Sequence, residues 1–395
     1  MRKALASWMS RAGLTAVKGQ GPVAMVSAGP VRAALSASGE GGAGYGTLAR
    51  RGYLGNPVVH RAVRLVAEAA AAVPVVFYEG EAEVSAHPLV QLIGRPNPRM
   101  GRADFFETVY SHLMLAGNAY LEPVAVGGEI RALYPIRPDR VRIETDADGW
   151  PAALVAETAR GSRRLAFTGA PGEPIHLRLF NPLDDLGGAA PLSAAAGAIG
   201  LHNAALAWNR ALLDNSARPS GALVYQPREG GNLSPQQYER LKQELEEGYS
   251  GSMAAGRPLL LEGGLDWKAM SLTPRDMDFI EARNGAARDI ALSLGVPPML
   301  IGIQGDNTYS NYQEANRAFY RLTVLPLISR TLEGLVSSLR APGERLRAEP
   351  DIDAVSALAA ERGEVWARLE AASFLTLDEK RMAVGYPPAG LSAEI

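Results

Sequence analysis

The chain has 395 residues, 47% apolar and 21% charged, a length that one hydrophobic core seldom serves and a composition ordinary for a globular protein. A formal charge of -2 excludes the basic surplus that tight phosphate binding requires, and the absence of cysteine excludes disulfides and thiolate metal sites. No apolar run reaches the ~18 to 20 residues of a bilayer span and no export signal follows Arg2 and Lys3, so a soluble protein with no membrane partner is expected, assembling in a reducing cytoplasm.

Residues 1–50 are rich in Ala, Gly and Ser without a sustained period, and they predict a mobile arm. Asn56-Pro57 then supplies a cap and a first turn for a helix through about Ala72, with Val59, Val63, Val66 and Ala70 inward. Pro74 ends it, PVVFYE forms a strand, and a second helix covers roughly Arg102 to Leu115. From Asn118 to Phe180, short apolar segments punctuated by Gly127-Gly128, Asp148-Gly149 and Pro171-Gly172 predict an antiparallel β region.

An Ala-rich helix is expected from Pro191 to about Ser216, roughly 37 Å long, and another from Thr273 to Leu294, stopped by Gly295 and Pro297-Pro298. Between them, residues 218–272 predict a compact α/β insert: the strand GALVYQ, a helix opened by Ser234 and Pro235, and two further strands. Residues 298–302 make a short helical turn, GIQGDNTYSN a polar loop, and Tyr312 to Leu339 a long helix kinked at Pro326. A linker at Ala341-Pro342-Gly343 leads to short C-terminal helices, one begun by the capping box Thr376-x-x-Glu379.

Catalytic patterns are missing where their context demands them. Gly39-x-Gly41-x-x-Gly44 fits the dinucleotide-binding expression but follows no strand and opens no helix, and there is no GxxxxGK[ST], HExxH, GxSxG or SxxK. His60, His87, His112, His176 and His202 lie on different predicted elements, which implies structural or surface roles. Asp276, Asp278, Glu281 and Asp289 form the densest acidic group, yet the first two project about 200° apart on a helix, and acids in a first turn are explained by the helix dipole. Asp184-Asp185 before Gly187-Gly188 reads as a turn into the Pro191 helix. No catalytic residue, cofactor or metal is expected.

Several ordered segments carry a family resemblance: HPLVQLIGRPNPRMGRADFFETVYSHLMLAGNAYLEPV, then LYPIRPDRVRI, then IALSLGVPPMLIGIQGDNTYSNYQEANRAFYRLTVLPL, and FLTLDEKRMAVGYPP. Over roughly residues 54 to 387 the chain resembles the portal proteins of long-tailed, siphovirus-like phages, and its short length and Arg/Ala bias also suit a gene transfer agent. The resemblance implies an α+β portal fold with wing (α/β), two-helix stem, small α/β clip insert and helical crown. On that plan the wing covers 51–195 and 298–340, the stem helices 196–217 and 273–297, the clip 218–272 and the crown 341–395.

It also implies a homo-oligomeric ring, typically dodecameric, in a virion or phage-like particle. Its partners would be the terminase large subunit, a head-tail adaptor protein, the major capsid protein and the double-stranded DNA passing through it. Gln304, Gly305, Asp306, Asn307, Thr308, Tyr309, Ser310, Asn311 and Tyr312 would form the tunnel loop, which carries no Lys or Arg to hold phosphate. Glu239, Glu244, Glu246 and Glu247 would be the clip's docking surface, and Ala194, Ala195, Ala196, Gly197, Gly285, Ala286 and Ala287 would let stem helices of neighbouring subunits approach. The rival readings are another oligomeric head or connector protein and a metal-dependent nuclease.

Overall fold

The computed structural model describes residues 44–386, except 81, 170–171, 215–220, 270–278, 304–308 and all of 226–264 but Gln236 and Glu239. It opens with a helical turn, Tyr45–Thr47, and a π-helical turn, Leu48–Tyr53. Residues 45–50 are therefore helical, where the sequence predicts part of a mobile arm. Leu48 is buried and the Tyr45 ring packs edge-on to His112 at 6.3 Å, contacts from distant sequence that composition does not reveal.

Helix α1, Pro57–Ala72, begins where Asn56 accepts hydrogen bonds from Val58 N and Val59 N. Its buried face, Val59, Ala62, Val63, Val66, Ala67 and Ala70, repeats at the three- and four-residue spacing of a helix with one apolar stripe. That stripe lies against α3, Arg102–Ala116, whose Phe105, Phe106, Val109, Tyr110 and Leu113 are likewise buried. Between them come β1 (Val75–Glu79), β2 (Ala82–Glu83) and α2 (Pro88–Gly94).

The expected antiparallel region consists of two three-stranded sheets. Strands β3 (Asn118–Val126), β4 (Glu129–Ile136) and β8 (Ile175–Arg178) form one in the order β4-β3-β8, with Tyr120 opposite Ile136 and His176. Strands β5 (Val141–Thr145), β6 (Pro151–Thr158) and β7 (Gly161–Ala166) form the other. A 3-10 turn, Pro191–Ala195, then leads into α4, Ala196–Asp214. The described ends of the insert, β9 (Gly221–Tyr225) and β10 (Leu265–Ala269), pair antiparallel, so the insert leaves and returns at one place.

Helix α5, Phe279–Ser293, packs along α4. After a 3-10 turn, Pro298–Ile301, a long composite helix consists of α6 (Tyr309–Phe319), a π-helical stretch (Tyr320–Val324) and α7 (Leu325–Leu339). Pro326 does not simply kink it. Leu325 N bonds to the Tyr320 carbonyl five residues back, so a π-helical turn accommodates the proline's missing donor and its ring. The helix Ser310–Leu339 is long and apolar enough to cross a membrane by length and composition, contrary to the expectation that no segment would be. One side of it faces the core, where Phe319, Val324, Ile328, Leu332 and Leu335 are buried, while Leu322 is exposed.

The C-terminal segment, expected to be helical, opens instead with strand β11, Leu346–Pro350, which pairs with β1 in the order β11-β1-β2. Helices α8 (Ala359–Ala371) and α9 (Leu377–Ala383) follow, α9 under the expected capping box of Thr376 and Glu379. Neither helix buries a residue, and Trp366, Phe374, Leu377 and Met382 are all exposed.

Candidate functional site

Two joints fix how the long helices and the sheets meet. At the first, α1 meets α4 through Asn56, which is 1% exposed and whose amide donates to His202 Nδ1 at 3.0 Å and Asn203 Oδ1 at 2.8 Å. Accepting that bond requires neutral His202, and burial, with Arg283 nearby, holds its pKa below the usual value. At the second, Gly188 passes so close to Gly117 that an added Cβ would lie 2.0 Å from the Gly117 carbonyl oxygen. Asn118 fixes this crossing, accepting from Gly188 N at 2.7 Å and from His176 Nε2 at 2.8 Å.

The end of α5 is seated on the π-helical stretch. Gly295 adopts φ +64 to turn the chain out of α5, and its carbonyl accepts a hydrogen bond from Thr323 Oγ1 at 2.7 Å. A short linker then runs to α6. Beyond it, Arg317 and Arg321 both reach Glu361 of α8, at 3.6 and 3.4 Å, which ties the C-terminal helices to the composite helix. Sequence gives no sign of that bridge, because its partners lie about 40 residues apart and ordinary surface residues look the same.

Of the expected tunnel loop, Gln304, Gly305, Asp306, Asn307 and Thr308 lie outside the described residues. Tyr309, Ser310, Asn311 and Tyr312 form the first turn of α6 and not a loop. The polar run looks loop-like, but an exposed first turn can carry polar side chains, and Ser310 to Glu314 are exposed. In the insert, Glu239 is exposed on helical backbone, and Glu244, Glu246 and Glu247 lie outside the described residues, as do the Ser234 helix start and the strand RPLLLEG. Ala195, Ala286 and Ala287 are buried inside this protomer, so they serve the packing of one chain and not that of neighbours; Ala194 and Gly197 remain exposed.

Among the acids weighed for a metal, Asp276 and Asp278 lie outside the described residues, whereas Glu281 and Asp289 are exposed on α5. Among the described residues no group of three or more His, Asp or Glu side chains is placed to hold a metal ion. Asp184 accepts from Leu186 N at 2.8 Å, the turn that its sequence suggests.

The mixed sheets, the paired long helices with an insert between them and the bent composite helix define a phage-portal architecture, and a sequence model described as phage portal protein matches residues 57–385. The chain belongs to the phage portal protein family. It is a portal protein of the kind built into the heads of phages and gene transfer agents. It is 48% identical to a chain in a solved structure described as the neck of a native gene transfer agent particle computed with C12 symmetry, with a TM-score of 0.69, covering 87% of this chain and 94% of that one. It is also similar to a protein of Rickettsia bellii, 41% identical over 85% of this chain and 88% of the relative. The probable portal protein of Streptomyces phage phiC31 is 28% identical over 90% of this chain and 78% of the relative.

Proposed function

We propose that twelve copies of this chain close into a ring at one vertex of a phage-like head. Double-stranded DNA enters through the ring, driven by a terminase motor, and later leaves through it. The likeness to the C12 neck chain, which spans nearly that chain's whole length, carries this reading. The ring serves as a structural conduit without catalysis of its own; the portal family is structural, and the motor's ATPase belongs to another chain.

We assign its parts as the family resemblance implies. Residues 51–195 and 298–340 act as wing within the head shell, against the major capsid protein, and α4 and α5 act as stem. The insert between them acts as clip, docking the terminase large subunit and then the head-tail adaptor through Glu239, Glu244, Glu246 and Glu247. The pairing of β9 with β10 supports this, because it brings the two described ends of the insert together. Residues 341–395 act as crown, with β11 anchored in the sheet of β1.

Residues Gln304 to Tyr312 line the narrow part of the channel. Their lack of Lys and Arg lets DNA slide, because each phosphate held by a cation must release it again. Changing Thr308 and Ser310 together to Arg is expected to slow packaging and ejection, most at low salt, with recovery as salt rises. DNA content per particle, followed in time at two salt concentrations, measures this. Normal packaging at both salts by rings carrying the two changes would place the channel lining elsewhere.

A further inference from the structure

Between α2, the turn joining β3 to β4 and the segment after α7 lies an open groove of about 1370 Å³. This exceeds the ~300 to 1,000 Å³ of ordinary small-molecule sites, and its open form suits an extended chain. Arg95, Arg131, Arg340, Arg345 and Arg347 line it, all exposed. Its carboxylates are engaged from within the protein. Glu344 is held by His87 Nε2 at 2.6 Å and by Ala341 N at 2.8 Å. Glu173 accepts from Thr168 N and Gly169 N at 3.0 and 2.8 Å, and Glu129 pairs with Arg131.

Arg347 pairs with Glu349 and stacks over Tyr78, and Arg340 donates to the Leu346 carbonyl. The side chains of Arg95 and Arg345 have no hydrogen bond or ion pair among the described residues. The groove therefore offers two unengaged guanidinium groups, each shaped to hold a carboxylate by two parallel hydrogen bonds.

We infer that this groove is a docking site for an extended acidic segment of a partner protein, held by Arg95 and Arg345. Nucleic acid fits worse. Glu129, Glu173 and Glu344 interrupt the positive lining, and a phosphate backbone carries charge at every step where a peptide can place its carboxylates singly. The two arginines suit a protein interface, where arginine is enriched among the residues that dominate binding.

The test uses the full-length protein and three fluorescent probes: a twelve-residue peptide alternating Glu and Ser, a Ser-only peptide, and a short DNA duplex. The acidic peptide is expected to bind, the Ser-only peptide is not, and Arg95→Glu with Arg345→Glu is expected to weaken acidic-peptide binding by at least tenfold. Arg95→Gln with Arg345→Gln, which removes charge without introducing repulsion, is expected to weaken it less, and it stands in if the reversed protein does not fold. Equal binding of the acidic peptide to wild type and variants would overturn the assignment. So would tighter binding of the duplex than of the peptide, with the same loss in the variants, because the groove would then be a nucleic-acid site.

Discussion

Replacing Gly188 by alanine is expected to cost about 4 kcal/mol of stability and to lower the melting temperature by about 5 °C. The new Cβ would stand 2.0 Å from Gly117 O, 2.8 Å from Gly117 C and 3.0 Å from Leu179 N, all of them backbone atoms with no rotamer to yield. Moving the Gly117 carbonyl aside breaks the hydrogen bond it accepts from Leu179 N at 2.8 Å and disturbs the Asn118 bonds to Gly188. Two neighbouring glycines provide controls. At Gly187 a Cβ meets only the flexible end of Asp184, and at Gly197, inside α4, it meets nothing within 4 Å. Gly187→Ala should therefore cost under about 1 kcal/mol, and Gly197→Ala should stabilise by about 0.5 to 1 kcal/mol through helix propensity. Thermal melts of the three variants check the order, and a Gly188→Ala protein melting with the wild type would show that the crossing is looser than described.

Acidification is expected to destabilise the protein steeply between pH 6.5 and 4, through histidines that fold in the neutral form. Burial pushes His112 down to about 4, Asp139 opposing the shift and Arg137 adding to it. Burial, with Arg178 beside it, likewise pushes His176 down to about 4. An unfolded histidine titrates near 6.5, so the unfolded chain takes up protons that the fold refuses. The stabilisation is complete above about pH 6.5 and is lost as pH falls toward 4, at ~1.4 kcal/mol per pH unit for each histidine.

His112 isolates the effect, because its Nδ1 is buried without a hydrogen-bond partner. His112→Leu removes the titration without orphaning any partner of that nitrogen. It is expected to leave stability at pH 7 within about 1 kcal/mol of wild type and to spare ~2 kcal/mol of the loss between pH 7 and pH 5. Urea midpoints at the two pH values measure both. An unchanged pH profile in the variant would mean that His112 protonates freely in the folded chain.

The parts of the fold written in local sequence were legible. Asn56-Pro57, the 3.6-residue period of α1, Gly295 and the Thr376–Glu379 box act within one or two turns, and each lies where its chemistry put it. Features created by long-range contact were not. Strand β11, Leu-Arg-Ala-Glu-Pro, has too little apolar content to announce itself, and it is a strand because β1, some 270 residues away in sequence, offers it an edge. Tyr45 and Leu48 sit in a Gly-rich stretch and are ordered by His112 and the core.

The expected tunnel and docking segments rest on the family resemblance alone. The segment 304–312 has no signature beyond its lack of cations. The groove of Arg95 and Arg345 joins residues 250 positions apart, which no local pattern records. Likewise the proline at 326 announced a bend in the composite helix without revealing that a π-helical turn would absorb it.

The central claim is that this chain closes into a twelve-membered ring, and the mass and symmetry of the purified full-length protein test it most directly. Native mass measurement combined with negative-stain class averages should show closed rings with twelve-fold symmetry, about 500 kDa for twelve copies of a 41.9 kDa chain. Monomers or two-fold dimers alone, under conditions in which related portals form rings, would contradict it.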